Sequence, residues 1–163
     1  MKFQNPFLFC VILAVTLFLY KKDEGNKPAQ ASTNNQFKLV VERGAFHYDR
    51  FELTLGKITY FPEENAEHTD IKYNTVSEVK LTDVVTSRFI EEIESKGFWK
   101  LENHYTASSS CLSELKITLY TDGKSKTVIC DDFERECHEL IKYIDIKIVE
   151  LEGNDLKRIY LPG

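Results

Sequence analysis

The sequence predicts an α+β domain: a mainly antiparallel sheet, built from a β-meander and a C-terminal hairpin, with two amphipathic helices packed on one face. Three observations lead there. Leu115, Ile117 and Leu119 alternate with Lys116, Thr118 and Tyr120, and Asp122-Gly123 supplies a tight turn before a returning strand over residues 126–130. Phe133, Cys137, Leu140, Ile141, Ile144, Ile148 and Leu151 recur at helical spacing, which places one apolar stripe across that hairpin. Upstream, Phe37, Leu39 and Val41, then Phe51, Leu53 and Leu55, then residues 58–61 give three more alternating runs, broken at Gly44 and at Gly56-Lys57.

Taken from its start, the chain opens with Lys2, an uncharged apolar run over residues 7–20 and Lys21-Lys22. That pattern reads as a signal peptide over residues 1–21, or as an N-terminal membrane anchor if residues 3–20 are counted together. Ala29-Gln30-Ala31 offers a small-residue cleavage site downstream, and Cys10 lies inside the run. Residues 22–36 are polar, contain Gly25 and Pro28, and read as a linker. Residues 37–163 form a single domain. The chain of 163 residues, 42% hydrophobic and 29% charged, is large enough for one core.

Within the domain, the three meander strands lead into an acidic loop over residues 63–70, with a solvated loop as its ordinary meaning and a weak cation site as the alternative. Ile71, Tyr73, Val76, Val79 and Leu81 then form a fourth series whose phase slips near Thr75-Val76, where a bulge would restore the inward face. Thr82 or Asp83 caps a helix with Val85, Phe89, Ile90 and Ile93 on one side and a Glu92–Lys96 pair on the other, ending at Gly97. Phe98, Trp99 and Leu101 follow and plug the end of the core. Residues 104–110 read as a polar loop. Asp131 or Asp132 caps the last helix, which the unbroken stripe carries from Phe133 through Leu151, although Ile144, Ile146 and Ile148 also alternate like a strand and residues 144–161 could form a second hairpin.

These features together resemble a family of uncharacterised domains in exported bacterial proteins. The residues that carry the likeness are the strand-turn-strand around Gly56, Gly97-Phe98-Trp99-Lys100-Leu101 followed by Tyr105, and the Asp122-Gly123 hairpin with its helix. The resemblance implies export and a sheet with helices. It implies no activity and no site residues.

The composition limits function. The net charge is -5, and the body is acidic without a basic patch, which argues against nucleic acid as a partner. No phosphate loop, nucleophile elbow or close pair of zinc ligands appears, so neither a cofactor nor a metal is expected, and no catalytic residue is assigned. Cys137 and His138 are neighbours that point different ways on a helix, so they form no dyad. Cys111, Cys130 and Cys137 are disulfide candidates in an oxidising compartment. The hairpin register puts Leu115 opposite Cys130 and so Cys130 on the face that meets the stripe bearing Cys137, while Cys111 could reach Cys137 instead and unpaired buried thiols are the rival. Among loops, residues 44–50 present Phe46, His47, Tyr48 and Arg50 between two strands, the best candidate binding surface.

The expectation is therefore an exported protein, periplasmic or otherwise extracytoplasmic, whose N-terminal segment contacts the inner membrane if uncleaved. Its role would be that of a non-enzymatic binding or structural domain of the bacterial cell envelope, with an envelope protein or a glycan as partner. The alternative is an envelope hydrolase or hydrolase inhibitor.

Overall fold

A computed structural model describes residues 36–44, 49–64, 68–108 and 113–158. The chain divides into two units, Met1–Thr33 and Asn34–Gly163, and all that is described belongs to the second. The segments read as signal, anchor and most of the linker, together with Phe46, His47, Tyr48 and Cys111, lie outside the described residues.

The domain is mixed α+β, with a seven-stranded, mostly antiparallel sheet and two α-helices. The strands are β1 (Phe37–Arg43), β2 (Arg50–Thr54), β3 (Lys57–Phe61), β4 (Ser77–Lys80), β5 (His104–Tyr105), β6 (Leu115–Thr121) and β7 (Lys124–Cys130). They lie in the order β4-β3-β2-β1-β6-β7-β5. The central pairing is between β1 and β6, in register from Phe37↔Thr121 to Arg43↔Leu115. β6 and β7 pair antiparallel through a turn in which Asp122 and Gly123 both have positive φ, with Leu115 opposite Cys130.

The two helices are α1 (Asp83–Ser95) and α2 (Glu139–Glu152). Thr82 caps α1 by accepting from the Val85 amide, and Gly97 at φ 93° lets the chain turn out of the helix into a 3₁₀ turn over Phe98–Lys100. Leu39, Val41, Phe51, Leu53, Ile58, Leu115, Ile117 and Leu119 from the sheet share one buried cluster with Phe89, Ile90 and Ile93 of α1 and Ile141, Ile144 and Ile148 of α2. Phe98 and Leu101 join this cluster and Trp99 packs against it, as expected of a plug. Gly56 has a φ of 73°, in the left-handed region that favours glycine.

Four local expectations need correction. The phase slip before β4 is a 3₁₀ turn over Ile71–Asn74, not a bulge, because the Asp70 side chain accepts from Lys72 N and starts a turn in which only Tyr73 is buried. Val85 is exposed, and Thr86 takes its inward place, bonding Asp83 O at 3.1 Å and receiving Gly56 N at 3.2 Å. Residues 104–105 are a strand, β5, parallel to β7. Finally, α2 begins at Glu139 rather than beside Asp132. The Asp132 carboxylate does accept from the amides of Glu134 and Arg135, but the turn it starts ends at the disulfide between Cys130 and Cys137, and His138 then caps α2 afresh through Leu140 N. With their Cα atoms 5.6 Å apart, the two cysteines hold residues 131–137 as a closed loop.

Two outcomes follow from this packing. Ile117→Ala, at a fully buried position in the middle of β6, should lower unfolding free energy by about 2–5 kcal/mol in urea titration. Reduction with dithiothreitol should cost about 2–3 kcal/mol, the loop-closure value for so short a loop, and the Cys130→Ala/Cys137→Ala variant should be indifferent to the reductant.

Candidate functional site

The candidate site forms where β1 ends, β2 begins and the chain enters β6. Two backbone hydrogen bonds fix this corner: Arg43 N donates to Asp49 O at 3.0 Å and Gly44 N donates to Glu114 O at 2.9 Å. Alternation along β1 turns Arg43 to the same side as Phe37, Leu39 and Val41, so its guanidinium enters the core. There its Nε donates to Asp145 Oδ1 at 3.0 Å and its Nη1 to Asp49 Oδ2 at 3.4 Å and Leu156 O at 2.8 Å. Arg158 approaches the other oxygen of Asp145 at 3.5 Å and lies over the Phe133 ring. Arg43, Asp49 and Asp145 are 2%, 3% and 3% exposed.

Charges this deep are tolerated only because they neutralise one another. Burial pulls the Arg43 pKa down, but Asp145 and Asp49 outweigh it and the guanidinium titrates above its ordinary value. For Asp49 the balance goes the other way: burial pushes its carboxyl above the ordinary aspartate range despite Arg43 and Arg158. Burial also raises the Tyr60 hydroxyl, with the Asp49 charge next in importance. Among the described residues no hydrogen bond of ordinary length reaches Asp49 Oδ1, although the Tyr60 hydroxyl lies close enough to interact with that carboxyl.

Above this cluster lies a cleft of ≈ 930 Å³ whose walls include Glu42, Asp49, Arg50, Glu63, Glu64 and Glu114. Of the residues in the predicted binding loop, Arg50 is thus on the cleft wall. Its guanidinium lies 4.6 Å from the centre of the Phe61 ring and its Nη2 is 3.4 Å from Glu52. Lys116 is paired to Glu42 at 2.8 Å.

A second polar group sits at the far edge of the sheet. His104 Nε2 meets Asp131 Oδ1 at 2.6 Å, and Ala107 N donates to Asp131 Oδ2 at 3.3 Å. The hydrogen bond from His104 is the main reason the Asp131 carboxyl is held below its ordinary value of 3.8. His68 stacks near Tyr73, 5.5 Å between ring centres, so it too is locally bound. Among the described residues no group of three or more His, Cys, Asp or Glu side chains is placed to hold a metal ion, and no helix is long and apolar enough to cross a membrane.

Sequence reasoning singled out the 44–50 loop and did not single out Arg43, Asp49 or Asp145. The signal was present. Arg43 is in phase with the inward residues of β1, and Asp145 stands four residues after Ile141, on the apolar side of α2. No protein-family model matches the chain, and no match is found among the curated proteins.

Replacing Arg43 by Met leaves two buried aspartates with too little positive charge and should cost about 3–5 kcal/mol in urea unfolding. Adding Asp145→Leu should recover part of that loss, a coupling that a double-mutant cycle measures. The Asp131 pair gives a pH outcome. Because its folded pKa is depressed, its contribution to stability is present above the unfolded value and is lost as pH falls through the folded one. Carbon-detected NMR should place the Asp131 titration below 3.8 in the native protein and move it back toward that value in His104→Ala.

Proposed function

We propose that this chain is a non-enzymatic binding domain of the bacterial cell envelope, secreted or held on the outer side of the inner membrane, with an envelope protein or a glycan as its partner. In this reading both helices pack on the same face of the sheet, behind the meander and the β6–β7 hairpin. The sheet is a scaffold whose corner, at the ends of β1 and β2, presents the binding surface. It is a domain of the kind the sequence resembles, exported and without established chemistry.

The observation that carries this reading is the cleft at that corner. Its floor is held by hydrogen bonds from Arg43 to Asp49, Asp145 and Leu156, so a contact surface there rests on a rigid, pre-organised base. The Cys130–Cys137 disulfide supports the compartment, since such bonds persist in oxidising surroundings outside the cytoplasm.

The hydrolase alternative has one observation in its favour. Asp131 fixes the His104 ring through Nε2, which leaves Nδ1 for proton transfer, the arrangement of an oriented general base. If that pair were catalytic, His104→Ala would abolish turnover of cell-wall or ester substrates by the purified protein.

The binding reading is tested by placing a photo-crosslinking amino acid at Glu114, on the cleft wall, and separately at Lys147, on α2, in intact cells of the source bacterium. A discrete envelope partner captured from Glu114 and absent from Lys147 is the expected result. Equal labelling from both positions, or a protein that retains its N-terminus in the cytoplasm with Cys130 reduced, would defeat it.

A further inference from the structure

The disulfide and the cleft floor are joined through one residue. Cys130 ends β7 and Cys137 stands just before α2, so their bond closes residues 131–137 into a loop. Phe133, inside that loop, reaches the corner twice. Its amide donates to Ser113 O at 3.0 Å, and the carbonyl of the next residue, Glu114, accepts from Gly44 N at 2.9 Å. Its ring lies against Arg158, whose guanidinium carbon is 4.3 Å from the ring centre, and Arg158 Nε meets Asp145 Oδ2 at 3.5 Å. The other oxygen of Asp145 receives Arg43, which also donates to Asp49.

The loop owes its shape to closure more than to burial. Of residues 131–137 only Phe133 and Cys137 pack with the apolar core, and Glu134, Arg135 and Glu136 are exposed. The Asp132 carboxylate starts one turn by accepting from the amides of Glu134 and Arg135, and the covalent bond fixes where that turn ends. With the bond open, so short and polar a segment regains chain entropy that little apolar contact opposes.

We propose that the Cys130–Cys137 bond is a redox switch on the cleft floor: closing the loop seats Phe133, and opening it releases Arg158 and, through Asp145, Arg43. The closing step is thiol–disulfide exchange with a disulfide-bearing protein oxidant. The thiolate of Cys137, the more exposed of the two residues at 6% against 0%, attacks one sulfur of the donor, and the donor's other sulfur leaves as a thiolate. The Cys130 thiolate then attacks Cys137 Sγ and expels the first donor sulfur. Both thiol protons leave the chain, and the electron pair passes to the donor, which ends as a dithiol. In the exported protein proposed above, the corner is finished only outside the cytoplasm; the coupling of disulfide to floor holds wherever the chain resides.

The test is ¹⁵N NMR of the full-length protein, oxidised and after reduction with dithiothreitol. It reads the Arg43 and Arg158 Nε–H groups at the floor, with the Ile58 and Ile93 amides as reporters of the remaining fold. Reduction should lower the order parameter of both arginine groups from about 0.8 to below about 0.6 while the two amides keep theirs, and oxidised glutathione should restore it. Phe133→Leu leaves the disulfide in place and removes the ring, so in the oxidised protein it should loosen Arg158 most and Arg43 in part. Arginines that keep their order on reduction, a loss shared equally by Ile58 and Ile93, or a Phe133→Leu variant indistinguishable from the oxidised wild type would each overturn the inference. No ligand enters this test, so such a result leaves the cleft standing as a binding surface, and failure to capture a partner from Glu114 leaves the switch standing.

Discussion

Everything in this domain depends on one ladder, the antiparallel pairing of β1 with β6. Each strand belongs to a different hairpin system, β1 to the meander that runs out to β4 and β6 to the hairpin with β7. Joining them brings Arg43 beside Leu115 across about seventy intervening residues and makes one continuous sheet from two pieces that could not each bury a full apolar face. The ladder also sets which residues enter the core. A slip of one residue would turn Leu39, Val41, Ile117 and Leu119 to the opposite face and out of the buried cluster, so those side chains determine the register.

Where that ladder ends, the core changes character. The last inward residue of β1 is an arginine rather than an aliphatic residue, and α2 answers it with Asp145 at a position its apolar stripe would otherwise fill. The guanidinium also reaches Leu156 O, and Lys72 donates to Asp155 O at 3.0 Å, so the segment after α2 is tied back to the meander by charge-assisted bonds to its carbonyls. Such bonds are directional where apolar contacts are not. They give the corner beneath the cleft a defined geometry.

Much of the fold was legible because its signals are local. Alternation in β1, β2, β3 and β6, the Asp122-Gly123 turn, the Thr82 cap and the Gly97 exit each involve residues within a few positions of one another. What could not be read depended on distant partners. The two-residue strand β5 exists only because β7 offers it an edge, with Asn103 O accepting from Ile129 N at 2.9 Å. The start of α2 was misjudged because helical spacing continues upstream through Phe133, while a covalent link to Cys130 closes that stretch into a loop. At the candidate site the sequence drew attention to a loop and not to the buried charges beneath it. Arg50 sat within the singled-out loop, whereas the meaning of Arg43 and Asp49 comes from Asp145, some hundred residues away.

The two borders of the sheet carry a consequence for behaviour in a crowded solution. On one side β4 is four residues long and places Glu78 and Lys80 in solvent. On the other, β5 covers the rim of β7, with Tyr105 O accepting from Asp131 N at 3.0 Å and the Asp131 carboxylate clamped by His104. A second molecule seeking to extend the sheet at β4 therefore meets a short, charged border. Chain-to-chain aggregation through strand addition is thus disfavoured at the β4 border, which can end a broad sheet without making it sticky.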